Sequence, residues 1–205
     1  RGPGASCSIH PRMYACADAA PGCSGADGSG MNAPKFDELG FYTLAGGAQD
    51  PRDLITECRR AEQLGLGAVF ISERFNVKEA VTLSGAAAVA TTNMKIITAA
   101  TNHNTRHPLV TASYATTMHR LTEGRFVLGI GRGIAPMFDA FGIARITTAQ
   151  MADFADVMRK LWHGDTIIGH DGPIGSYPIL RLDPTFDEDI PLGLVAFGPH
   201  SLDLG

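Results

Sequence analysis

The chain has 205 residues, 44% of them apolar, with 21 acidic against 17 basic side chains and a formal net charge of −4. That balance suits one globular domain and gives no reason to expect nucleic acid or an anionic membrane surface as partner. No apolar run approaches the roughly 20 residues that cross a bilayer, so the cytoplasm is the expected compartment.

Residues 1–30 are rich in Ala, Gly, Ser and Pro and lack the apolar core of a signal peptide. They read as a disordered leader, upstream coding sequence rather than fold, because Met31 directly precedes the first patterned segment. Cys7, Cys16 and Cys23 lie in this leader with His10, and Cys58 falls on a predicted helix. Without a C-x-x-C pair, no metal site is expected.

From Met31 onward, four short apolar runs recur at an interval of roughly 28 to 30 residues, the period of repeated βα units in a parallel barrel. They are Leu39–Leu44, Gly67–Ser72, Lys95–Ala100 and Arg125–Ile130. Each reads as a strand covered on both faces. Between them, Asp50-Pro51 predicts a helix start, with Leu54, Ile55, Cys58, Ala61 and Leu64 on one stripe. Gly65 and Gly67 predict its end. A second helix is expected over about Glu79–Thr91. A third is expected from Pro108, with Thr111, Tyr114, Ala115, Met118 and Leu121 on one face.

The fourth apolar run discharges into Gly131-Arg132-Gly133. Glycine has no Cβ, so such a strand end lets backbone approach a flat or phosphorylated ligand closely. The spacing is not that of a dinucleotide-binding fingerprint, since the last glycine of G-x-G-x-x-G would fall on Ile134. A fourth helix is predicted over about Thr147–His163, its stripe carried by Met151, Phe154, Met158 and Trp162 among others. The regular interval then breaks. Residues 164–189 read as an insertion holding a hairpin, with Asp171-Gly172 as its turn. A fifth strand is expected over Pro191–Ala196, followed by a helix start at Phe197–Ser201. His119, His163 and His170 read as surface residues.

The stretch Met118-His119-Arg120-Leu121-Thr122-Glu123-Gly124-Arg125-Phe126-Val127-Leu128-Gly129-Ile130-Gly131-Arg132-Gly133 resembles the hallmark of the luciferase-like flavin and deazaflavin oxidoreductases: a helix ending in LDRLS-GGR, then FxLGxGxG. The resemblance covers about residues 36–205. It implies a (β/α)8 barrel of the bacterial luciferase type, of which about five βα units are present. Residues 31–205 would then be the amino-terminal part of a longer or truncated barrel. The SERF and GIGRG segments are most similar to members that use the deazaflavin coenzyme F420; the rival is an FMN-dependent monooxygenase using oxygen and a partner flavin reductase. An inactive remnant, or a binder without catalysis, is the third reading.

Residue by residue, the resemblance implies the following. Ala99 and Ala100 carry a non-proline cis peptide against the tricyclic ring. Asn102 and His103 face the ring's pyrimidine edge or the substrate, and His103 is a proton-transfer group, as its near-neutral titration allows. Glu73 is the family's pocket acid and the second candidate for proton transfer, while Arg74 stands where some members have histidine and faces the substrate. Gly131, Arg132 and Gly133 approach the ring or the cofactor tail. Ile134 occupies the place of a glutamate that some deazaflavin enzymes use. Gly198, His200 and Ser201 match the cofactor-phosphate region, and a helix start there supplies N–H donors. Arg106-His107-Pro108 resembles a helix entry with a structural role. The partners implied are a small organic substrate and a second copy of the chain in a homodimer.

Overall fold

A computed structural model of the chain describes residues 35–45, 50–196 and 202, all within the compact unit Ala33–Gly205. The leader 1–30 with His10 and three of the cysteines, and the expected phosphate residues Gly198, His200 and Ser201, lie outside the described residues.

Strands and helices alternate through most of the chain: β1 (Phe36–Tyr42), α1 (Asp53–Gln63), β2 (Leu66–Ile71), α2 (Ala80–Ala90), β3 (Lys95–Thr98), a 3-10 turn (His103–Thr105), α3 (Pro108–Leu121), β4 (Phe126–Ile130), α4 (Ala135–Phe141), α5 (Thr148–Trp162), a hairpin of β5 (Ile167–Gly172) and β6 (Gly175–Leu180), and β7 (Leu192–Leu194). One sheet has the order β1-β2-β3-β4-β7 with every neighbouring pair parallel. This is the open arc of a barrel, with chain order and spatial order the same.

The core lies between this sheet and its helices. Val69, Ile96, Phe126 and Leu128 are fully buried on the sheet side, against Leu54, Ala112, Phe154 and Leu161 from the helices. Trp162 closes the α3–α5 contact, its indole N–H donating to Ala112 O at 3.4 Å. Small residues at Ala80, Ser84, Ala87 and Ala88 form the buried face of α2 and allow close approach to the sheet. Among the described residues, no helix is long and apolar enough to cross a membrane.

Several local expectations are corrected. β1 begins and ends earlier than the apolar run and is almost wholly exposed, because it is an edge of the sheet rather than a strand covered on both faces. Asp50-Pro51 does not open α1. The Asp50 carboxylate accepts from Arg52 N–H at 3.0 Å in a turn ahead of the helix, which starts at Asp53. Leu64 and Leu121, at the ends of their stripes, are exposed. Gly65 ends the helix with φ 82°, but Gly67 serves β2: a Cβ there would lie 2.1 Å from Asp37 O.

The helix α4 has no counterpart in the predicted elements. It is one short run with a single buried residue, Phe138, so no apolar stripe announces it. Within 164–189 the hairpin is present, but Asp171-Gly172 is the end of β5 and Pro173-Ile174 makes the turn. His163 is exposed, whereas His119 and His170 are partly buried, beside Glu188 at 3.6 Å and Asp153 at 3.2 Å.

Candidate active site

The parallel ladder extends past the formal ends of the strands. Ala99 N–H donates to Ile71 O at 2.7 Å and Glu73 N–H to Ala100 O at 3.1 Å. Thr101 N–H donates to Gly129 O and Gly131 N–H to Thr101 O, both at 3.0 Å. Glu73, Ala99–Asn102 and Gly131 therefore emerge together at the carboxyl edge of the sheet, the place where α/β barrels hold their chemistry. The Ala99–Ala100 peptide is cis. Tyr42, at the end of β1, reaches across and donates its hydroxyl to Ala99 O at 2.6 Å.

The glycines at this edge are closely packed by the protein. The space each missing side chain leaves is taken by the protein itself. A Cβ on Gly129 would lie 1.8 Å from Thr98 O, one on Gly131 would lie 3.1 Å from the Ala100 methyl, and one on Gly133 would lie 2.4 Å from the Phe138 ring. Gly133 also has φ 70°. Gly131 and Gly133 thus allow close packing within the protein at the edge of the site, and Gly133 also lines the cleft.

A small cleft of about 50 Å³ opens between Glu73, Arg74 and Phe75 after β2, Asn102 after β3, and Gly133, Ile134, Met137 and Phe138 at the start of α4. It holds one or two waters, the corner of a ligand site rather than housing for a tricyclic ring. Asn102 is buried and its side-chain N–H donates to Gly131 O at 2.8 Å, which fixes the amide at the cleft wall. Arg74 is exposed at the rim, its main chain paired with Lys78. Arg132 is exposed and bonds the Thr148 hydroxyl at the start of α5.

His103 is buried and does not border the cleft. Its ring stacks on Phe154 with centroids 5.3 Å apart. Burial pushes its pKa below the usual histidine range, against a smaller opposing pull from Asp153. The Glu73 side chain is fully enclosed. Its carboxylate accepts from Ala80 N–H at 3.1 Å, the Thr101 hydroxyl at 2.9 Å and Arg106 at 3.0 Å. Both oxygens are engaged by protein donors, so the expected role of Glu73 as a free pocket acid is corrected. His107 accepts from Leu109 N–H at 3.2 Å ahead of Pro108, the helix-entry role expected of it.

One observation leaves a place for a hydrogen-bonding ligand: of six buried side-chain polar atoms without a protein partner among the described residues, two, Ser72 Oγ and His103 Nε2, belong to the chain neighbours of the cleft residues Glu73 and Asn102. The apolar Phe75, Ile134 and Met137 beside Asn102 suit the face of a planar ring. The sequence gives no sign of the contacts of Tyr42 and Arg125, nor of the pairing of Arg106 with Glu73 beyond its helix-entry place. Each acts through carbonyls or carboxylates far along the chain, and no local spacing signals such contacts.

The chain is 34% identical over 148 residues to the 5,10-methylenetetrahydromethanopterin reductase of Methanolobus tindarius, a match covering 70% of this chain and 44% of that protein. It is 31% identical over 172 residues to the F420-dependent glucose-6-phosphate dehydrogenase of Intrasporangium calvum, covering 73% and 49%. It therefore spans about half the length of the curated relatives it matches. The coenzyme F420-dependent tetrahydromethanopterin reductase of Methanopyrus kandleri has the same fold, with a TM-score of 0.67 at 22% identity over 81% of this chain and 51% of that one. The family model for luciferase-like monooxygenases matches residues 32–205, and the chain belongs to that family.

Proposed function

We propose that the protein is an oxidoreductase that transfers hydride between coenzyme F420 and a small organic substrate. The observation that carries this reading is the single carboxyl rim on which the Ala99–Ala100 peptide and Asn102 emerge, next in the chain to Ser72 and His103, whose buried Oγ and Nε2 have no protein partner. F420-dependent relatives support the choice of cofactor.

When bound, the deazaflavin supplies a two-electron hydride carrier. The chain's own residues orient it and keep water out. The Ala99–Ala100 backbone and Asn102 border the ring, and Phe75, Ile134 and Met137 present apolar cover. Arg74, free at the rim, faces the substrate. His103 is the group for proton transfer: burial favours its neutral form, and Nε2 has no partner. Proton transfer requires the substrate within hydrogen-bond reach of that nitrogen.

Titration of the full protein with F420 and, separately, FMN tests the reading, followed by deazaflavin fluorescence and flavin absorbance. Saturable F420 binding with weak or no FMN binding is expected. Tight FMN binding without F420 binding would make the protein a flavin monooxygenase that draws electrons from a separate reductase.

A further inference from the structure

Glu73 stands where the family carries its pocket acid, yet its surroundings are those of an anchor. Its side chain is fully enclosed, and its carboxylate ties the start of α2 to segment 101–106. One oxygen accepts from Ala80 N–H at the start of α2 at 3.1 Å. The other accepts from the Thr101 hydroxyl at 2.9 Å and from Arg106 at 3.0 Å. Arg106 in turn donates to the Thr101 hydroxyl at 3.1 Å and also pairs with Glu79, which caps α2.

Thr101 passes this constraint on. Its N–H and C=O bind Gly129 and Gly131, each at 3.0 Å. The next residue, Asn102, donates to Gly131 O at 2.8 Å. The chain of contacts therefore runs from Glu73 through Thr101 to the cleft wall. An acid–base catalyst needs an oxygen within reach of the reacting atom, and the Glu73 carboxylate is fully enclosed, with one oxygen taken twice and the other bound to Ala80 N–H.

We infer that Glu73 and Arg106 form a positioning pair that fixes segment 101–106, and with it the Asn102 amide, in the geometry the ring requires. The inference rests on reading this rim as the ring site. Charge-assisted contacts of this kind hold geometry tightly, and small displacements of a binding group carry large penalties in function.

The test compares the full wild-type protein with Glu73→Gln, Arg106→Gln, Arg106→Lys and the double Glu73→Gln/Arg106→Gln variant. F420 affinity, kcat with its pH profile, and amide hydrogen exchange without cofactor are measured. Each Gln variant is expected to weaken F420 binding about tenfold or more, with the double variant no weaker than either single one. Arg106→Lys should recover part of the loss. The pH profile should keep its shape at saturating F420, and the Thr101 and Gly131 amides should exchange about tenfold faster or more in Glu73→Gln.

A Glu73→Gln enzyme that loses kcat and one limb of the pH profile, with F420 affinity and amide exchange unchanged, would overturn the inference and make Glu73 the catalyst. Failure of the wild type to bind F420 would remove the functional reading alone. Exchange rates then decide, and unchanged rates at Thr101 and Gly131 overturn the pair's role. If Glu73→Gln does not fold, Thr101→Val is measured in its place, with the same outcomes read at Gly131.

Discussion

Gly129 shows how a residue can be legible while its reason is not. The glycine-rich strand end stood out in the sequence, and close approach was the correct physical idea. What approaches, however, is Thr98, whose hydroxyl also donates to Gly129 O and accepts from Gly129 N–H, both at 2.8 Å. No local pattern reveals which atom fills a missing Cβ, because the partner lies on the neighbouring strand. His103 is a second case. Its titratable ring was recognised, but its burial against Phe154 depends on a helix some fifty residues downstream. That burial has a pH consequence. The folded-state pKa is depressed, by desolvation first, with Asp153 opposing. Its contribution to stability is therefore fully present above the unfolded value of about 6.5. As pH falls below that value the unfolded chain takes up a proton that the folded chain resists, and stability is lost by at most about 1.4 kcal/mol per pH unit. Chemical denaturation between pH 7 and 5 should show a shallower loss in His103→Gln than in wild type; equal slopes would mean that His103 is not desolvated in the folded protein.

At the level of elements, long periodic helices and the rhythm of buried strands were readable because each carries its own burial pattern. The edge strand β1 was readable as a strand but not in its bounds or its exposure, and the short helix α4 was not readable, since neither buries a full face. A turn at Glu123-Gly124, with φ of 52° and 85°, joins α3 to β4. The meaning of the arginine that follows was not legible. Arg125 donates to Met94 O at 2.7 Å, to Thr91 O at 3.3 Å and to Thr122 O at 3.0 Å. Thr91 and Thr122 are the C-caps of α2 and α3. One guanidinium thus satisfies carbonyls at two helix ends, where positive charge is also favoured by the helix dipole. Arg125→Ala should cost about 2–4 kcal/mol of unfolding free energy, because partly buried carbonyls lose charged donors. Urea denaturation reads this directly, and a loss below about 0.5 kcal/mol would mean the contacts are those of a dispensable surface residue.

For the molecule as a whole, the parallel order of the first four strands follows from the regular spacing of apolar runs, which leaves each pair the dozen or more residues that a parallel crossover needs; the fifth joins them after the insertion that breaks the interval. That order puts the carboxyl ends of all strands of this sheet on one rim, the rim on which the proposed ring site lies. The shared rim of Glu73, Asn102 and Gly131 was therefore legible, while their surroundings were not: the Glu73 carboxylate is enclosed by protein donors, Gly131 and Gly133 pack against protein atoms, and Asn102 borders the cleft. The most direct measurement is a backbone amide NMR titration of the full protein with F420. The largest shifts should fall at Ala100, Asn102 and Gly131, on the carboxyl rim. Shifts concentrated at Lys95 and Phe126, on the amino ends of the same strands, would contradict the placement of the ring.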